Sequence, residues 1–148
     1  MSAQDMTLPT ASDRKPTEPN EASILVVEDK VESYVTVARL LAFSGVVPRN
    51  SHWKASGWGV LQLAESLPHI DLILLDIGLP YEDGYEVLTA IRKDERFNDT
   101  RIVAVTGRVD EMRKAKSAGF DGFLSKPLDI QRFPRQLSRI LHDDSVWE

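Results

Sequence analysis

Short uninterrupted apolar runs punctuate the chain: Ile24-Leu25-Val26-Val27, Leu72-Ile73-Leu74-Leu75, Ile102-Val103-Ala104-Val105 and Gly122-Phe123-Leu124. A strand with one wet face alternates apolar and polar side chains, whereas a strand covered on both faces has no reason to. The unbroken runs therefore predict members of a parallel sheet lying between helices. Between them the apolar spacing changes to three and four. Tyr34, Ala38 and Leu41 form one such stripe, Val60, Leu61, Ala64 and Leu67 a second, Val87, Leu88 and Ile91 a third, and Ile130, Phe133, Leu137 and Ile140 the last. Each stripe is backed by charged residues, the mark of an amphipathic helix. A further strand is needed between the first two helices, and Val46-Val47-Pro48 is the segment available. Because a proline cannot donate to a ladder, that strand is expected at a sheet edge.

Strand and helix alternate strictly, and such crossovers are right-handed. The pattern predicts an α/β fold: a flavodoxin-like (βα)5, doubly wound parallel sheet with strand order 2-1-3-4-5, occupying residues 22–148. In such a sheet ligands bind beyond the carboxyl ends of the strands, where the strand order reverses. Residues 1–21 carry no aromatic and no β-branched aliphatic residue, but hold Pro9, Pro16 and Pro19 among polar side chains. That composition predicts a flexible tail, since it offers too little apolar surface to offset the entropy of ordering.

Composition narrows the chemistry. A core in 148 residues buries roughly two-thirds of the unfolded surface, so neither a disulfide nor a structural zinc is needed. The absence of cysteine rules out disulfides and thiol catalysis. With 18 Lys and Arg against 23 Asp and Glu, and no basic stripe, direct binding to nucleic acid is not expected. The apolar runs are too short to span a membrane and the first residues lack a signal-peptide layout, so a cytoplasmic protein is expected.

The predicted strand ends carry Glu28 and Asp29, then Asp76, Thr106 and Lys126. Each has a plain structural explanation. Asp29 with Glu32 reads as a capping box, Asp76 as a loop acid ahead of Gly78-Leu79-Pro80, Thr106 as a β-branched strand residue and Lys126 as a solvated lysine. Taken together they say more. Clustered carboxylates repel, so one stays protonated or a cation fills the gap. Oxygen donors without His or Cys favour a hard divalent ion such as Mg²⁺. With that ion and Lys126 in place, the pocket accepts a further anion such as a phosphoryl group.

The ordered set Val-Val-Glu28-Asp29, Leu-Ile-Leu-Leu-Asp76-Ile-Gly-Leu-Pro80-Tyr-Glu-Asp83-Gly84, Ala-Val-Thr106-Gly and Phe123-Leu-Ser-Lys126-Pro127 resembles the receiver domain of two-component response regulators, here over residues 23–141. The resemblance implies that Asp76 accepts a phosphoryl group from a sensor histidine kinase or a His-containing phosphotransfer protein, and that the chain is a switch rather than an enzyme. Asp29, Asp76 and the carbonyl of Gly78 would bind Mg²⁺ directly, and Glu28 through water. Lys126 and Thr106 would contact phosphoryl oxygens, and the Lys126-Pro127 bond would be cis.

The resemblance further implies a switch in which Thr106 moves toward the phosphoryl group and Phe123 fills the space it leaves, although a plain core role suits Phe123 as well. The surface altered would comprise helix four (near Val109 to Ala118), strand five and helix five, a usual face for docking or homodimer formation. Gly78 and Arg108 fall where the family tunes phosphoryl lifetime. Residues 46–59 fit the family pattern poorly. Trp53 and Trp58 in that stretch are expected to fill the core beneath helix two, with an apolar patch for a partner as the alternative. No output domain is expected after helix five, so docking or phosphoryl relay would carry the signal. A receiver-like interaction module that is never phosphorylated is the rival reading. An Asp-nucleophile phosphatase is weakened by Gly78, where its second Asp would stand, and a flavodoxin-type carrier by Glu28-Asp29, which would repel the flavin phosphate.

Overall fold

A computed structural model describes residues 14–67 and 69–148. Six parallel strands form one sheet in the order β2-β1-β3-β4-β5-β6. In chain order the elements are β1 (Ile24–Val27), α1 (Val31–Phe43), β2 (Ser51–Lys54), α2 (Gly57–Leu63), β3 (Leu72–Asp76), α3 (Gly84–Arg92), β4 (Arg101–Thr106), α4 (Met112–Ala118), β5 (Gly122–Ser125), α5 (Phe133–Leu141) and β6 (Val146–Trp147).

The unbroken apolar strands divide their side chains between two cores, as two-sided burial requires. Ile24, Val26, Leu72, Leu74, Val103 and Val105 face α1 and α5. Leu25, Val27, Ile73, Leu75, Ile102 and Ala104 face the opposite side, with Val60, Leu88 and Ile91 of α2 and α3. Each buried Leu, Ile or Val contributes about 1.5–3 kcal/mol relative to exposure, so these interleaved side chains fix the sheet register. That register brings the ends of β1, β3, β4 and β5 to one rim, with Val27 beside Leu75, Asp76 beside Val105 and Thr106 beside Ser125.

Several sequence expectations change. The edge strand is Ser51–Lys54, not Val46-Val47-Pro48. Pro48 instead opens a 3₁₀ turn over Pro48–Asn50, and Val46 is a buried plug in the connection from α1. A short sixth strand extends the five expected. The buried stripe of α1 runs through Val37, Leu40 and Leu41 rather than Ala38, and α5 starts at Phe133, which leaves Ile130 exposed in the turn before it. The Asp29–Glu32 capping box does not form, because α1 begins after Lys30 and has no side-chain cap. Trp58 is 74% exposed and is not core; Trp53 lies on β2 and stacks on Tyr34, ring centroids 5.0 Å apart.

Residues 1–13 of the expected flexible tail lie outside the described residues. Over the described part, Arg14–Glu21 packs against the amino ends of the sheet. The Arg14 side chain is 7% exposed and reaches Asp121 at 2.7 Å and Asp143 at 3.5 Å. Arg101 joins the group, bonding Asp143 at 3.3 Å and the Lys15 carbonyl at 2.9 Å. Pro19–Glu21 forms a 3₁₀ turn.

Candidate functional site

At the opposite rim the chain assembles an acidic pocket. Glu28 follows β1 directly and is 3% exposed. The backbone carries it onward because its N–H donates to the Lys54 carbonyl (3.1 Å) and its own carbonyl accepts from the Trp53 indole (2.6 Å). Asp29 follows, half-buried, and Asp76 closes β3. Glu28, Asp29 and Asp76 each present a carboxylate oxygen within 4.8 Å of the others. Such close grouping of like charge demands a counter-charge.

Lys126 supplies part of it. Its Nζ donates to Glu28 at 2.8 Å and to Asp76 at 3.2 Å. Its backbone N–H, bonded to the Thr106 carbonyl at 2.8 Å, extends the β4–β5 ladder to the rim, and the Lys126–Pro127 bond is cis. Burial alone would lower the lysine, but the Glu28 hydrogen bond and the Asp76 charge outweigh it and hold the ammonium above its ordinary range. Burial pushes Glu28 up, with the Asp76 carboxylate acting in the same sense and Lys126 and the Lys30 N–H opposing.

The remaining oxygens are oriented by backbone. Asp76 Oδ1 accepts the Gly78 N–H at 2.7 Å and Glu28 Oε1 accepts the Lys30 N–H at 3.2 Å. Thr106, 4% exposed at the end of β4, accepts the Arg108 N–H through Oγ1 at 3.2 Å. It lines a cavity of about 200 Å³ together with Ile77, Gly78, Asp83 and Tyr85. Phe123 is fully buried in β5 among the side chains of the α2–α3–α4 face.

Three carboxylates against one ammonium leave two negative charges when all are ionised. The donors are all oxygen, which suits a hard divalent cation such as Mg²⁺ and disfavours soft metals. The residues present therefore fit that ion. Every site residue named from the sequence lies at this rim except Phe123, which sits beneath it in β5. Sequence reasoning expected Trp53 beneath helix two and missed that its indole ties β2 to Glu28, because β2 was expected elsewhere. It also missed the group around Tyr85, whose hydroxyl donates to Glu111 while Lys114 lies 4.4 Å above its ring. Only the helical spacing of Glu111 and Lys114 hinted at that cluster.

Comparison with known proteins agrees with this geometry. The family described as the response regulator receiver domain matches residues 24–138. The polar-differentiation response regulator DivK of Brucella ovis is 32% identical over 124 residues, covering 82% of this chain and 97% of that protein. The transcriptional regulatory protein MalR of Bacillus subtilis is 37% identical over 79 residues, covering 53% of this chain. The chain spans only 34% of the length of MalR and 4% of the hybrid signal transduction histidine kinase G of Dictyostelium discoideum, to which it is 35% identical. Among solved structures, the chemotaxis response regulator CheY4 of Vibrio cholerae superposes with a TM-score of 0.69 at 25% identity, covering 80% of this chain and 98% of that one. The receiver domain of the sensor histidine kinase PA1611 from Pseudomonas aeruginosa, solved with a magnesium ion coordinated in its active-site cleft, gives 0.68 at 28% identity over 80% of this chain and 95% of that one.

Proposed function

This chain belongs to the response regulator receiver domain family, and from that premise we propose that Asp76 accepts a phosphoryl group from a phosphohistidine and that the chain signals by the change that follows. The observation that carries the reading is the convergence of Glu28, Asp29 and Asp76, with Lys126 bonded to Glu28 and Asp76, at the ends of three different strands. Phosphoryl transfer asks the protein for position and charge neutralisation rather than for covalent work.

An Asp76 carboxylate oxygen forms the new bond to phosphorus while the phosphorus–nitrogen bond to the donor imidazole breaks, and the electron pair leaves with the imidazole. The Gly78 N–H fixes the rotation of the Asp76 carboxylate through Oδ1. Lys126 is already within hydrogen-bond distance of Asp76, so its ammonium is on hand for an incoming phosphoryl oxygen. The Thr106 hydroxyl, at the end of the adjacent strand, offers a second donor. Mg²⁺, held by Glu28, Asp29, Asp76 and the Gly78 carbonyl, would supply neutralisation of the phosphoryl charge; the magnesium in the PA1611 receiver supports its inclusion.

The donors this reading implies are a sensor histidine kinase or a His-containing phosphotransfer protein, in the cytoplasm, and the responding surface is α4–β5–α5, with a partner or a second copy docking there. The domain would run from Arg14 rather than from Ala22. The test is incubation with Mg²⁺ and acetyl phosphate or phosphoramidate, followed by intact mass. The expected result is a gain of one phosphoryl group in the parent and none in Asp76→Asn. Labelling that survives in the variant overturns the site, and an unlabelled parent leaves the interaction-only reading.

A further inference from the structure

The α4–β5–α5 face of this chain is already filled. Residues Val146–Trp147 add a parallel strand to the outer edge of β5, with Val146 beside Gly122 and Trp147 beside Phe123. The pairing continues past the strand: the Glu148 N–H donates to the Phe123 carbonyl (2.9 Å) and the Ser125 hydroxyl to the Glu148 carbonyl (2.6 Å). Side chains bind both flanking helices. Lys116 of α4 lies 5.4 Å from the centre of the Trp147 ring. The Glu148 carboxylate takes Gln136 at 2.8 Å, Arg132 at 3.2 Å and Arg139 at 3.4 Å, all on or beside α5.

Gly122 shows how close this approach is. A Cβ there would stand 2.8 Å from the Val146 carbonyl oxygen, and only glycine leaves room for the added strand. The face thus has a specific shape and chemistry: a β5 edge that takes a parallel strand, a cation beside an aromatic slot, and an amide with two guanidinium groups that hold a carboxylate.

We propose that this face is a docking groove for an extended partner segment with an aromatic residue followed by an acidic one, and that residues 146–148 occupy it in cis and must leave before a partner docks. The occupant's chemistry is read from the cis segment it replaces, through strand addition for affinity and side-chain slots for specificity. Ser125, which holds Glu148, directly precedes Lys126, so the segment is fastened next to the acidic pocket. Calling the face a signalling surface rests on the reading above; its occupancy in cis rests on these contacts alone.

The test needs no phosphodonor, so its failure is separate from a failure of Asp76 labelling. The probe is a blocked synthetic peptide, His-Asp-Asp-Ser-Val-Trp-Glu, titrated into full-length protein and followed by amide NMR. The receivers are the parent and Trp147→Ala/Glu148→Ala, which removes the side-chain contacts to Lys116, Gln136, Arg132 and Arg139 and so weakens the hold of the segment on the groove, with Val146 kept in the core. Binding to the double variant is expected to be about tenfold tighter than to the parent, as when a site is free roughly a tenth of the time. The shifts should fall on Phe123, Ser125, Lys116 and Gln136, and a peptide with Ala in place of Trp and Glu should not bind. Gly122→Ala should speed hydrogen exchange at the Glu148 amide yet bind no peptide, because its new methyl blocks both occupants. Equal affinity for parent and double variant, or no binding to a double variant whose spectrum stays folded, overturns the proposal. Should the double variant not fold, Trp147→Ala alone carries the same comparison.

Discussion

Glu28 has almost no contact with water, and both its oxygens are committed, one to the Lys126 ammonium and one to the Lys30 amide. Removing Lys126 leaves that carboxylate under-satisfied and beside Asp76. Lys126→Ala is expected to lower folding stability by about 1–3 kcal/mol, read from the urea midpoint at neutral pH. Asp76→Asn should behave in the opposite sense, holding or raising the midpoint, because it withdraws one of the three crowded carboxylates while abolishing phosphoryl labelling. A variant that loses labelling by unfolding would show a lowered midpoint instead. These residues were legible in the sequence because each stands at or just past the end of an apolar run, and strand ends in a doubly wound sheet share a rim. Trp53 was not legible. Its part comes from a single indole bond to the Glu28 carbonyl across two strands, which no local spacing encodes.

At the scale of elements, legibility followed burial. β1, β3 and β4 are covered on both faces and announced themselves as unbroken apolar runs. β2 is half-buried throughout, reads Ser-His-Trp-Lys and carries no such run, while Val46, buried in the loop before it, imitated one. β6 is two residues long, too short for any period to appear. The helix α3 was placed correctly by Val87, Leu88 and Ile91, all buried between the sheet and α2. Leu88→Ala is therefore expected to cost about 2–5 kcal/mol in chemical denaturation, with the cavity term included. The start of α3 is equally tight. A Cβ on Gly84 would come 2.7 Å from the Ile77 Cα in the loop that follows Asp76, so Gly84→Ala must shift that loop. Slower labelling by acetyl phosphate, with the far-ultraviolet spectrum unchanged, is the expected outcome; unaltered labelling would mean that the loop position does not matter for the reaction.

Across the whole molecule the sheet separates two ends with different work: the acidic pocket at one, and at the other a clamp in which Arg14 and Arg101 meet Asp121 and Asp143. Composition could not reveal that clamp, because Arg14 sits in a polar, proline-rich stretch whose partners lie more than a hundred residues away. Burial alone would raise Asp121, but the Arg14 hydrogen bond, the Arg92 charge and the Ile102 N–H prevail and hold the carboxyl below its ordinary value. A depressed folded-state pKa contributes stability above the unfolded value, near 3.9, and that contribution is lost as pH falls through the folded value. The acid limb of a pH–stability curve should therefore flatten in Asp121→Asn, and Arg14→Ala should lower the midpoint at neutral pH by about 1–3 kcal/mol. An acid limb identical to the parent's would show that the clamp contributes nothing. The clamp also brings distant parts of the polypeptide side by side: Arg14, Ser145 and Trp147 line a single cavity of about 150 Å³. A short linker could bridge residue 148 to residue 14, and new ends could be cut at the exposed Asn98 turn, yielding a circularly permuted molecule with its sheet intact. Reporter groups could then be attached far from both the acidic rim and the β5 edge.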